Sequence, residues 1–169
     1  GNDQWRIERR TLTDGSLVYA TTTNPSSGVD FISAIALNTG SSTMVVVGRD
    51  SVPGDREWRI ETRNLSDGSL VWATTTNPTA NLDFATGVAI DGDTNSMYII
   101  GRQGANALWR IEKRTLNTGE LVVAFGTEGV VTNNVSTNGD DVPNALVIDA
   151  PNNDMYVVGQ DSTPGAANF

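Results

Sequence analysis

Carboxylates and arginines are the side chains of this chain whose spacing suggests chemistry. The 169 residues include no histidine and no cysteine. That removes the usual general base, the thiolate nucleophile, disulfides and the usual zinc ligands. Asp30, Asp83 and Asp141 each precede a similar apolar run. As a set they are candidate ligand-binding residues, because carboxylates gathered at one rim can bind cations or sugar hydroxyls. The alternative is that they cap the strands they precede. As glycosidase acids they would need an inequivalent pair at a set separation, and one position repeated three times is a poor way to create two different acidities.

A second acidic signal is Asp91-Gly92-Asp93-Thr94-Asn95, which alternates oxygen ligands as a calcium loop does. The candidate metal ligands are Asp91, Asp93 and Asn95, with Asp149, Asn152 and Asp154 in a related stretch. The helical context and the glutamate at the twelfth loop position are missing, so a plain β-turn accounts for the pattern as well. No cofactor is expected, with calcium as the one alternative. Tyr19 and Trp72 occupy equivalent places after two turns. Exposed, they would stack on sugar rings; otherwise they pack between layers.

The arginines belong to a stretch that occurs three times: Trp5 to Arg10, Trp58 to Arg63 and Trp109 to Arg114. Its period is two, the strand period. Trp5, Trp58 and Trp109 lie with the isoleucines on one face. The other face carries Arg6, Glu8 and Arg10, then Arg59, Glu61 and Arg63, then Arg110, Glu112 and Arg114. This row reads as a self-satisfying charge ladder, with an arginine-lined anion site as the alternative. Eight of the eleven basic residues sit in these strands, leaving Arg49, Arg56 and Arg102.

Each such strand leads into a glycine turn, Asp14-Gly15, Asp67-Gly68 or Thr118-Gly119, and a second strand at Leu17, Leu70 or Leu121. Polar crossings follow, Thr21 to Pro25 and Thr74 to Pro78. A third strand is expected at Phe31–Leu37, Phe84–Ile90 and Val142–Ile148. A fourth is expected at Met44–Gly48, Met97–Gly101 and Met155–Gly159, apolar on both faces and therefore buried on both. No segment has a capped helical period, so almost no helix is expected. The third copy departs at Phe125 to Asp141.

The formal net charge of −9 argues against a nucleic-acid partner, which needs surplus cations, and against an anionic membrane surface. No apolar run reaches membrane-spanning length. Abundant Thr, Asn, Ser and Gly with almost no Lys predict an extracellular or cell-surface setting.

The tryptophans recur at intervals of 53 and 51 residues. Four strands in such a period are a propeller or solenoid signature. The run Gly87 to Asp91, Met97 to Gly101 and Trp109 to Glu112 resembles the repeats of extracellular bacterial β-propellers and, more loosely, the NHL type. The resemblance covers nearly the whole chain and implies architecture, not activity.

The fold class is therefore all-β: three tandem four-stranded antiparallel blade repeats, about 5–57, 58–108 and 109–160, in a single domain with a loose tail at 161–169. The repeats are circularly offset, so the chain starts with two outer strands and ends with two inner ones. Three blades are too few to close comfortably. Head-to-tail pairing of two copies into a six-bladed homodimer is expected, with a fragment of a longer propeller, an open filament or a three-fold β-prism as alternatives. Functionally the reading is a non-enzymatic binding or assembly module with a protein or carbohydrate ligand. A polysaccharide-acting hydrolase or lyase and a structural filament protomer are the other readings.

Overall fold

The computed structural model describes residues 3–51, 55–136 and 140–162. Alternating apolar and polar residues, punctuated by glycine turns, give twelve strands: β1 (Trp5–Arg10), β2 (Leu17–Thr23), β3 (Phe31–Asn38), β4 (Thr43–Asp50), β5 (Glu57–Asn64), β6 (Leu70–Thr76), β7 (Phe84–Asp91), β8 (Ser96–Gln103), β9 (Leu108–Thr115), β10 (Val130–Asn133), β11 (Val142–Asp149) and β12 (Asp154–Gln160). The sole helical element among the described residues is a 3-10 turn at Ala150–Asn152.

The strands form four antiparallel sheets. Two are four-stranded, β3-β4-β5-β6 and β7-β8-β9-β10, and two are two-stranded, β1-β2 and β11-β12. The breaks fall between β2 and β3, between β6 and β7 and between β10 and β11, as the offset of the repeats implies. The sheets stack face to face in chain order, and the leading strands β3, β7 and β11 lie side by side.

Packing follows the strand period. Trp58 and Ile60 of β5 join Val45 and Val47 against Ala85, Val88, Met97 and Ile99 of the next sheet. Trp5 and Ile7 of β1 pack with Met44 and Val46 in the same sense. Trp58 and Trp109 lie flat on the backbone of Gly101 and Gly159, where a Cβ would come within 2.7 Å of each indole. Those two glycines let a large ring seat directly on the neighbouring sheet. The Trp58 indole N–H donates to the Arg102 carbonyl at 3.0 Å.

Two expectations need correction. Leu121–Ala124 does not pair as a strand in the third sheet; Leu121 makes an isolated bridge to Arg114, and the outer strand is β10. The cause is the intervening turn, in which Gly126, Glu128 and Gly129 all have positive φ and reverse the chain before it can pair. The fourth-strand runs are buried on both faces in β4 and β8, but β12 is exposed on one face, because no sheet covers it. Gln160 ends β12, and Ser162 is tied to Asp141; the tail from residue 163 lies outside the described residues.

Candidate functional site

The three Arg-Glu-Arg rows form as ladders. In each, both arginines reach the central glutamate through Nε at 2.7 Å. The distal arginine also donates to the carbonyl of its own turn glycine: Arg10 to Gly15, Arg63 to Gly68 and Arg114 to Gly119. Each row thus locks its hairpin and gives both of its arginines a carboxylate partner. Arg114 further donates to Thr76 of the preceding sheet.

Burial separates the copies. Glu61 and Glu112 have 0% side-chain exposure, whereas Glu8 has 26% between Arg6 at 54% and Arg10 at 52%. The face of β5 is covered by the β1-β2 sheet and that of β9 by the β3–β6 sheet; nothing described covers the face of β1. The Arg6 guanidinium, and then Arg10, hold the Glu8 carboxyl below its ordinary range.

Asp30, Asp83 and Asp141 are buried and share one geometry. Each accepts from the backbone N–H and hydroxyl of a Ser or Thr just before it: Ser26, Thr79 and Ser136. Each also accepts an amide 21 residues later, from Ser51, Gly104 and Ser162. These carboxylates tie the loop entering a leading strand to the loop leaving its neighbour, the behaviour of a cap. Burial pushes the Asp83 carboxyl up despite its bonds. At Asp141 burial acts the same way, but the Ser162 amide and the Ser136 donors outweigh it and the group lies below its usual value. The constant spacing of 21 residues, with a Ser or Thr four or five positions upstream, is the sequence signal that identifies the clip.

Tyr19 and Trp72 pack on the next sheet's turn. A Cβ on Gly68 would lie 2.8 Å from the Tyr19 ring, and one on Gly119 would lie 2.7 Å from Trp72. Both glycines also have φ near +75°, so the turn needs glycine for its backbone and its neighbour needs it for space. The Trp72 indole donates to the Leu116 carbonyl.

The acidic loop at Asp91 closes on itself. Asp91 accepts from the Thr94 hydroxyl and amide, Asp93 is exposed, and Asn95 takes positive φ at the turn. In the related stretch the Asn152 side-chain amide donates to Asp149, and Asp154 pairs across from Asp149 at the strand end. Among the described residues no three acidic side chains converge as a metal would require. This geometry fits a pair of turns.

Two features escape the sequence reading. Each leading strand carries a bulge, and the bulged residue is polar: Ser33, Thr86 and Asn144. Thr86 donates to the Ile100 carbonyl at 3.3 Å and to the Pro143 carbonyl on β11, so it sits where two leading strands meet. A bulge has no compositional signature, which hides it in one sequence.

The other feature is a pair of open apolar faces. Ile35 and Leu37 of β3 stand opposite Val46 and Met44 and are more than half exposed. At the other end, Val147, Tyr156 and Val158 of the β11-β12 sheet are about 60% exposed on one face.

No family model, curated protein or solved structure matches this chain.

Proposed function

We propose that this chain is a non-enzymatic β-propeller module for assembly and binding, in which two copies complete each other head to tail. The observation behind this reading is the complementarity of the two ends. One end is an outer pair, β1-β2, whose first edge is unpaired among the described residues; the other is an inner pair, β11-β12, whose last edge is likewise unpaired among them. Joined, they would reproduce the four-stranded sheets in the middle.

The register carries over from those sheets. Gly101 pairs with Arg110, Ile100 with Ile111, Tyr98 with Lys113 and Met97 with Arg114. Gly48, Val47 and Met44 of β4 pair with Arg59, Ile60 and Arg63 of β5 in the same way. The equivalent pairs between copies are Gly159 with Arg6, Val158 with Ile7, Tyr156 with Arg9 and Met155 with Arg10. This register sets Arg9 over Tyr156, as Lys113 lies 5.0 Å from the Tyr98 ring centre. It also brings Val147, Tyr156 and Val158 against Ile35 and Leu37, and covers the Arg6-Glu8-Arg10 row with the partner's third sheet. Burying these faces drives the association, and pairing the edges removes strands that would otherwise recruit other chains.

Two copies then supply four whole sheets and two composite ones around a central channel. The bulge residues Ser33, Thr86 and Asn144 face the leading-strand edges that would line it, which makes them the better candidates for ligand contact than the buried aspartates. The hydrolase reading loses support because Asp30, Asp83 and Asp141 are each occupied by three or more donors. Calcium at the acidic loops and an extracellular setting are carried only by composition and spacing.

Absolute molar mass by light scattering across a concentration series tests the proposal. A discrete species at twice 18.0 kDa is expected. A persistent monomer with a single cooperative melt contradicts it. A mass that grows with concentration means that the same edges join without closing, the filament reading.

A further inference from the structure

We propose that the cleft between β4 and the start of β7 binds a small organic carboxylate through Arg49 and Arg56. The cleft has a volume of about 470 Å3, and Arg49, Ser51, Asp55, Arg56, Asn81 and Leu82 are among its walls. That suits a small polyfunctional acid.

The argument starts from a broken symmetry. Arg49 pairs across its sheet with Phe31 and Trp58; Arg102 pairs with Phe84 and Trp109 in the same places of the next sheet. Arg102 has a carboxylate partner, Asp140, at 2.9 Å. Asp140 immediately precedes the clip residue Asp141. The residue that precedes Asp83, facing Arg49, is Leu82. The internal carboxylate of one junction is thus a leucine in the other.

Among the described residues Arg49 makes no ion pair or hydrogen bond; its guanidinium carbon sits 4.4 Å from the Phe31 ring centre, and its buried Nε–H has no acceptor. Burial and the charge of Arg56 act against the Arg49 cation while the charge of Asp30 acts for it, and Arg56 has no ion pair among the described residues. The neighbouring carboxylates are committed elsewhere: Asp30 to Ser26 and Ser51, and Asp55 to the Arg56 amide and Asn77. Two guanidinium groups in one cleft, one with a buried donor that no described acceptor answers, favour an anion there even though the chain as a whole is acidic. The planar fork of arginine, the Asp140 precedent and the mixed polar and apolar walls select a carboxylate.

The probe is succinate, followed by the arginine Nε–H signals in 15N NMR at constant ionic strength, with inorganic phosphate as the competitor class. Succinate is expected to shift the Arg49 and Arg56 signals saturably while Arg102, already paired, stays still. Arg49→Gln should weaken binding at least ~10-fold, the loss of one charge-assisted contact. Leu82→Asp, at an exposed position, should copy the Arg102–Asp140 pair, shift Arg49 without ligand and abolish the succinate response. A linear, unsaturated shift, a response unchanged in Leu82→Asp, or tighter binding of phosphate than of succinate would each overturn the assignment.

Discussion

The ladder of β1 and the ladders of β5 and β9 are the same row of Arg, Glu and Arg with the same 2.7 Å contacts, yet only the latter two are buried. The local sequence specifies the ladder; the preceding sheet specifies its burial. A buried charged row is costly unless each member is answered, and here each arginine is answered by the central glutamate and the distal one also by its turn carbonyl. That self-sufficiency lets one motif sit between sheets or at an open end. The exposed copy has the form of an interface side without its cover.

The largest effect expected from breaking this comparison is at the covered glutamates. Glu61→Gln leaves two buried guanidinium groups with too little counter-charge and should cost about 3–5 kcal/mol of unfolding free energy in denaturant titration. Glu8→Gln should leave the midpoint of the dissociated protomer unchanged within error, and show its effect as weaker association.

Next in size are the open faces. Leu37→Asp or Val158→Asp should fold normally, because both side chains are more than half exposed, yet raise the dissociation constant by ~30-fold or more in sedimentation velocity, a loss typical of an interface anchor. Smaller again is the Arg9–Tyr156 contact. A double-mutant cycle with Arg9→Ala and Tyr156→Ala should give a coupling of about 0.5–1 kcal/mol in association.

The smallest effect separates two clips of equal geometry. Asp141 has a lowered pKa, so its contribution is complete above the unfolded value of 3.8 and is lost as pH falls through the folded one. Asp83 is raised, so its charged form carries a penalty at neutral pH that is relieved as pH falls through its folded value toward 3.8. NMR titration of the two carboxyls should place Asp83 above and Asp141 below 3.8.

The repeat, the offset and nearly all strand positions were legible because period-two patterns and glycine turns are local signals. The Trp face and the charged face of β1, β5 and β9 came from alternation alone. The displaced strand β10 was not legible, since Leu121-Val122-Val123 has strand composition and only the positive-φ turn at Gly126 to Gly129 redirects it. The exposure of β12 was hidden for another reason: Met155-Tyr156-Val157-Val158 has the same composition as the buried Met97-Tyr98-Ile99-Ile100, and what covers it is not encoded within the strand. The aspartates were found, but their engagement depends on donors 21 residues away. Arg49 looked like Arg102 until Leu82 and Asp140 were seen to face them.

The most direct test of the head-to-tail register is an intermolecular cross-link in a protein that has no native cysteine. Arg9→Cys and Tyr156→Cys variants, mixed and oxidised, should form a disulfide-linked pair efficiently, because directly opposed strand residues fall within disulfide reach. Arg9→Cys mixed with Val157→Cys, one residue out of register and facing the other side of the sheet, should not. Equal yields from the two mixtures, or none from the first, would contradict the account.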